Sequence, residues 1–437
     1  MMSSESTPPR MPRPLRVILP ALLASLALLL LLGSVSSAAP TDLPESVAHD
    51  PVVAYIVSQV TTQTLEHELA GLTGERPVVV AGSLYTIATR NTYYAQPISM
   101  TTRYAYEQFA GYGLVVTYHN YVWSGNHWRN VVAEKPGAGE SDEICLITAH
   151  VDDMPPSSLA PGADDNGSGS VAVLMAARLL APQRFTHTLR FVLFTGEEQG
   201  LRGSAAYAAD RKACGENIQG VVNLDMIGYN SDANQAIDLY ARSDVTGSLE
   251  LTRIFSDVIG VYGLGLVPSR FSNVWPINAS DQWSFLEQGY PAFLAIEDMG
   301  DSTPYYHSTS DTLSTLDLDY YADFTRAAIA TIAHLGRLLP GGYLSGTVHA
   351  LDTGHPLPAT VGAFVPTHNY TFTASTGASG LYSLPLPSGS YTVTAWAATY
   401  YPTTITDVLI VTDTVVTRDF VLEPWPRTYL PLIAHGG

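Results

Sequence analysis

TAHVDD at Thr148–Asp153 and GADDNGSGS at Gly162–Ser170 gather His150 with the carboxylates of Asp152, Asp153, Asp164 and Asp165, just beyond the apolar run EICLIT. Only 14% of the chain is charged, so this crowding is deliberate in character, and carboxylates packed together need a cation to hold them. The pattern recurs along the chain. FVLFTGEEQGLRGS runs into Glu197 and Glu198, GVVNLDMIGYN into Asp225, and PYYHSTSDT supplies His307. Two imidazoles and three carboxylates (His150, Asp165, Glu198, Asp225 and His307) suit a pair of zinc ions, which accept nitrogen and oxygen ligands. One carboxylate must then bridge, and a short aspartate on a Gly-rich turn is stiff enough to do so. Metals paired in this way sit roughly 3.5–4 Å apart and can share one water. Asp152 follows His150 closely enough to orient its imidazole through the other ring nitrogen.

Such groups need a scaffold that brings them together. EICLITAH, HTLRFVLFTGEE and IQGVVNLDMIG read as strands, with SGSVAVLMAARLLA and GSAAYAADRKA as helices between them. This alternation predicts an α/β fold with a largely parallel central sheet and helices on both faces. Functional groups collect at the carboxyl ends of the strands in such sheets. Upstream, DPVVAYIVSQVTTQTLEHELAGLTG has helical apolar spacing and stops at Gly74. ISMTTRYAYEQFAGYGLVVTYHNYVW reads as helix, turn and strand, and RNVVAEKPG as a further strand. After Pro340-Gly341-Gly342 the composition shifts to alternating Val, Thr and Tyr broken by Gly, Pro and Ser. That predicts a small C-terminal all-β sandwich and a separable module.

The 437 residues allow more than one domain, and 46% hydrophobic residues suffice for a core. Net charge is -19 with no basic cluster, which argues against nucleic acid as a partner. Arg10, Arg13 and Arg16 precede the apolar run Val17–Leu32, and small residues follow at Ser36–Ala38. This is the layout of a secretory signal peptide over 1–38, so the protein is expected outside the cytoplasm. Left uncleaved, the segment would act as a membrane anchor. Export would permit a bond between Cys145 and Cys214, although Cys145 lies within an apolar strand where a buried thiol is at home. The expected organisation is an N-terminal segment at 39–85, a catalytic domain at 86–340, the sandwich at 343–424 and a tail at 425–437, as a monomer.

AHVDD, PGADDNGSG, FTGEEQGLRGS, NLDMIGYN and YYHSTSDT, in this order, resemble the motifs of secreted di-zinc aminopeptidases such as the bacterial leucyl aminopeptidases. RNVVAEKPG and SDQWSFLEQGYPAF resemble the same family between those motifs, and the likeness covers about residues 85 to 340. It implies two zinc ions, peptide substrates with a free N-terminus, and cleavage of the N-terminal residue. His150 and Asp225 would bind one zinc, Glu198 and His307 the other, and Asp165 would bridge; Asp164 would not be a ligand. Glu197 would be the general base and Tyr306 would stabilise the oxyanion. A cis peptide between Asp165 and Asn166 is implied too. Some members carry an arginine just before the SD pair; this chain has Ala279 there, with Arg270 as a weak substitute. Met226, Ile227 and Tyr229 are candidates for an apolar substrate pocket. SGTVHALDTGHPLPATV and TGASGLYSLPLPSGSYTVTA resemble the carboxypeptidase regulatory-like domain, with no ligand cluster. Two other activities suit this fold: a glutaminyl-cyclase-like transferase using one zinc, and a carboxypeptidase.

Overall fold

The computed structural model describes residues 43–139 and 141–426. The expected signal peptide and all but the first two residues of the C-terminal tail lie outside the described residues. Among those described, no helix is long and apolar enough to cross a membrane.

A short hairpin of β1 (Val78–Val80) and β2 (Ser83–Tyr85) precedes the main sheet. That sheet contains β3 (Val115–Trp123), β4 (Asn126–Lys135), β5 (Glu143–His150), β6 (Thr188–Phe194), β7 (Asn217–Leu224), β8 (Ala236–Ala241), β9 (Val267–Ser272) and β10 (Ala292–Glu297). Their order is β3-β4-β6-β5-β7-β10-β8-β9. β6, β5, β7 and β10 run parallel, while β3 and β4 join antiparallel at one edge and β8 runs antiparallel to β10. The parallel centre explains why EICLIT and GVVNL are apolar throughout: both faces of these strands are covered. The helices Gly169–Leu180 and Leu318–Leu335 pack one face. Tyr207 and Phe285, from the helices Arg202–Ala213 and Gln282–Glu287, pack the other. Register aligns the strand ends that matter. His150 lies opposite Phe194, and Thr148 opposite Asn223.

The N-terminal segment departs from the single helix its spacing predicts. It forms two helices, Pro51–Ser58 and Thr62–Leu72. Thr61 breaks them, its hydroxyl accepting the Thr64 N–H at 3.1 Å as an N-cap. A second departure is the tight β3–β4 hairpin. Ser124 and Gly125 both adopt positive φ, as a two-residue turn between twisted strands requires, and β4 therefore begins at Asn126.

The C-terminal strands are β11 (Gly342–Ala350), β12 (Thr360–Val365), β13 (Tyr370–Ser375), β14 (Leu381–Leu386), β15 (Gly389–Trp396), β16 (Thr403–Ile410), β17 (Val415–Thr417) and β18 (Phe420–Leu422). They form two sheets around Leu344, Val361, Phe372, Leu384 and Val393, as the sequence predicts. This sandwich is not held by a free linker. Tyr55 donates its hydroxyl to the Thr373 carbonyl at 3.3 Å and accepts the Thr373 N–H at 3.0 Å. His368 meets the Tyr112 carbonyl at 3.2 Å, so it serves the domain contact rather than the open surface. Gly113 is required beside it: its φ is +77°, and a Cβ there would lie 2.2 Å from the Thr367 carbonyl oxygen. Both cysteines are free, with Cys145 buried and Cys214 exposed.

Candidate metal centre

The carboxyl ends of β5, β6 and β7 converge, as parallel neighbours must. His150 closes β5, Glu197 and Glu198 follow β6, and Asp225 follows β7. Asp165 enters from the turn before the helix Gly169–Leu180, and His307 from the loop after β10.

Two triads result: His150, Asp165 and Asp225 in one, and Asp165, Glu198 and His307 in the other, each with its ligand atoms within 4.8 Å of one another. Asp165 belongs to both. Its Oδ1 lies 3.4 Å from His150 Nε2, and its Oδ2 lies 3.2 Å from His307 Nε2. His150 Nε2 is 3.2 Å from Asp225 Oδ1, and His307 Nε2 is 2.9 Å from Glu198 Oε2. Asp164, one residue earlier, points away and accepts the Gly228 N–H at 2.8 Å.

The donor set fits a pair of cations. Glu198 Oε1 is buried without a hydrogen-bond partner. Burial, and then the charge of Asp165, push the Glu198 carboxyl up to about 8. Burial also raises Glu197 well above the usual carboxylate range, with Asp225 and Asp281 adding to the rise. For His307, burial opposes the charged form, but hydrogen bonds to Asp165 and Glu198 outweigh it and lift the imidazole to about 10. Negative groups this crowded, with nitrogen donors between them, are the environment a small divalent ion neutralises.

The ligand loops are clamped from behind. Arg90 is fully buried and donates to the carbonyls of Val151, Pro161, Gly162 and Leu72 at 2.6–3.2 Å. It also sits 3.5 Å from Asp153. Gly162 has φ +50°, and a Cβ there would lie 2.7 Å from the Arg90 guanidinium. Asp311 accepts the N–H groups of Asp164 at 2.9 Å and Asp165 at 3.0 Å. The Asp165–Asn166 peptide is cis, and the Asn166 side chain donates to the Leu224 carbonyl at 2.9 Å. Arg90 was not legible as a site residue, because it adjoins no ligand motif, and Asp311 stands in the motif of His307 but was not singled out.

Asp152 acts differently from the sequence expectation. His150 Nδ1 meets the backbone carbonyl of Asp152 at 3.2 Å, while the carboxylate stays 3.8 Å away. That carboxylate instead accepts the Thr92 hydroxyl at 2.9 Å and the Glu197 N–H at 3.4 Å. It therefore steadies the loop carrying Glu197.

A cavity of about 290 Å³ opens beside the triads, with Glu197 on its wall. Met226, Trp275, Leu294, Ile296 and Met299 give it an apolar lining, and Tyr306 and Ala279 border it. Leu294 and Ile296 alternate along β10 and so share one face. Of the three pocket residues expected from sequence, only Met226 is there. Ile227 turns the other way into the core, and Tyr229 packs edge-on against Tyr305. Arg270 is also elsewhere, held by Thr252 at 3.1 Å. Tyr306 stacks on His307 with ring centroids 3.7 Å apart, and about half of the residue is exposed.

The fold is an α/β domain with a mostly parallel sheet carrying a β-sandwich, and its site groups two sets of residues able to hold metal ions. Residues 130–332 match the peptidase family M28 model, and residues 343–423 match the carboxypeptidase regulatory-like domain. A probable leucine aminopeptidase of Trichophyton verrucosum is 33% identical over 219 residues, covering 47% of this chain and 57% of that protein. Leucine aminopeptidase 1 of Trichophyton equinum is 31% identical over 242 residues, covering 52% and 62%. The chain thus spans about three-fifths of the curated relatives it matches. Among solved structures, the LapA aminopeptidase of Legionella pneumophila superposes with a TM-score of 0.57 at 21% identity, covering 67% of this chain and 74% of that one. A glutaminyl cyclase of Bacteroides thetaiotaomicron gives 0.50 at 15% identity, covering 63% and 98%. These structural likenesses establish the fold.

Proposed function

We propose that this protein is a secreted, zinc-dependent aminopeptidase that removes apolar N-terminal residues from peptides. The observation that carries the reading is Asp165, whose two oxygens face separate histidine–carboxylate pairs beside Glu197 and an apolar cavity. His150, Asp165 and Asp225 would hold one zinc, and Asp165, Glu198 and His307 the other. When bound, the zinc ions supply Lewis acidity and lower the pKa of water. Glu197 accepts the proton of the attacking water at its carboxylate and returns it to the leaving amine. The Tyr306 hydroxyl donates to the oxyanion. The acidic surroundings favour the substrate's free ammonium group, and the side chain of that residue fills the cavity lined by Leu294 and Ile296.

A carboxypeptidase needs a cation for the terminal carboxylate, and among the described residues lining the cavity there is no arginine or lysine. A one-zinc cyclase needs only one triad, whereas both are complete here. The export signal read at residues 1–38 supports secretion. The test is a panel of amino-acid p-nitroanilides, with and without N-acetylation and chelator, together with metal analysis. Cleavage confined to free amines, loss on chelation and two zinc ions per chain are expected. Equal cleavage of acetylated substrates, or saturation at one ion, would overturn the reading.

A further inference from the structure

The aminopeptidase reading accounts for the cavity on one side of Glu197. A second and larger concavity, of about 650 Å³, lies on the other side. It is an open groove between the β3–β4 hairpin and the helix Ala95–Gly111, with Tyr93, Trp123 and Trp128 among its walls and Thr195 at its inner end. Thr195 directly follows β6 and stands two residues before Glu197 in sequence. Tyr93 follows Thr92, the residue that holds Asp152 and through it the Glu197 loop. The groove therefore begins where the candidate base sits.

Sheet order gives the direction. The apolar cavity lies over β7 and β10, the triads over β5, β6 and β7, and the groove over β6, β4 and β3. A peptide whose first side chain enters the cavity and whose first peptide bond meets Glu197 continues toward β3. We propose that this groove binds the leaving segment of the substrate, an inference that rests on the aminopeptidase reading. Crossing β6, β4 and β3 at about 4.8 Å per strand covers about 10 Å, the length of about three extended residues. The groove is therefore sized for the first three residues after the scissile bond.

Its chemistry suits that occupant. Trp123 and Trp128 flank the hairpin turn with ring centroids 6.4 Å apart, and Tyr93 is exposed opposite them, offering aromatic faces to apolar side chains. Asn120 and Asn126 offer amide groups to a peptide backbone. Although the chain carries a net charge of -19, the residues lining the groove include no aspartate or glutamate. The carboxylate end of a short peptide is not repelled there. The wall is also firmly built. Arg129 donates to the Thr102 hydroxyl at 2.9 Å and the Ser99 carbonyl at 2.7 Å, joining hairpin to helix.

The test uses the full-length zinc-loaded protein and the series leucinamide, Leu-Ala, Leu-Ala-Phe and Leu-Ala-Phe-Ala. Expected is a rise of kcat/KM with length, chiefly through KM, of about tenfold by the tetrapeptide and level beyond it. Trp123→Ala should cut kcat/KM for the tetrapeptide several-fold more than for leucinamide, and Trp123→Phe should restore most of the difference. A flat length series on the wild-type protein would overturn the inference while leaving the aminopeptidase reading intact. So would equal losses on leucinamide and tetrapeptide in Trp123→Ala. Failure of the wild-type protein to cleave any of the series would remove the aminopeptidase reading, and this inference with it.

Discussion

Glu197 and Glu198 are adjacent in sequence and serve opposite ends of the site, so exchanging each in turn tests the assignment. Glu197 belongs to neither triad, whereas Glu198 Oε2 stands 2.9 Å from His307 Nε2. Glu197→Gln preserves shape but cannot take a proton. General-base catalysis contributes about 10²–10⁴-fold, so kcat should fall by that factor, or about 3–5 kcal/mol of barrier. Metal content should stay as in the wild type. Glu198→Ala reduces one triad from three donors to two. The affinity for that ion should fall by more than the 10–100-fold seen when even outer partners of a metal site are lost. The assays are metal content after desalting, the rate of metal transfer to a chelator, and kcat on leucine p-nitroanilide. Metal loss in Glu197→Gln with retention in Glu198→Ala would refute the assignment of the pair.

Arg90→Met should destabilise the fold by about 3–5 kcal/mol in urea unfolding, because it leaves Asp153 buried without its cation; a loss under about 1 kcal/mol would contradict the clamp. In the metal-free protein, Asp281 is fully buried and its carboxyl is raised from 3.8 to about 7, by burial above all. The folded state then binds more protons than the unfolded state between about pH 4 and pH 7, so stability present at low pH is lost as pH rises through that window. Chelated protein should melt higher at pH 5 than at pH 8, with about 3 kcal/mol as the upper bound from this residue over that interval; the reverse order would refute it. Reductant should not change the melting temperature, and a thiol reagent should label Cys214 but not Cys145 in the folded protein. Truncation after Leu339 should retain cleavage of small substrates while lowering the melting temperature, since Tyr55 loses Thr373; a folded truncate without turnover would place the sandwich in the catalytic machinery.

The triads were legible because each member ends a strand or turn with a strong local pattern. His150 follows EICLIT, Asp225 follows GVVNL, and Asp165 sits between glycines. The α/β class was legible for the same reason. What sequence missed is assembled from afar. The apolar cavity draws on Met226, Trp275, Leu294 and Met299, which no local motif links. β8, β9 and β10 went unread, being short runs of six residues each. Adjacency misled twice. Ile227 follows Met226 yet faces the opposite way, and Asp152 orients His150 with its backbone rather than its carboxylate. The Ser-Gly turn at 124–125 also went unread, although that dipeptide is a turn signal.

Holding like charges close together sets the design problem of this site, and the clamps show how the chain meets it. Flexible loops would let Asp165, Glu198 and Asp225 drift apart, at little cost to secondary structure. Here the backbone on each side is tied down instead. Arg90 gathers the carbonyls after β5 and before Asp165, and Asp311 takes the N–H groups of Asp164 and Asp165. Asn166 fastens the same turn to the end of β7. Two residues at the site, Met226 and His307, adopt φ of 53° and 54°, a conformation that costs non-glycine residues roughly 1–2 kcal/mol each. Such conformations persist only where the surroundings over-determine them. The buried polar bonds around the ligand loops supply that determination, so donor geometry is a property of the chain's own hydrogen bonding. It follows that the residues most able to detune the metal pair without touching it are Arg90, which lies outside the ligand motifs, and Asp311, four residues after His307 in its motif.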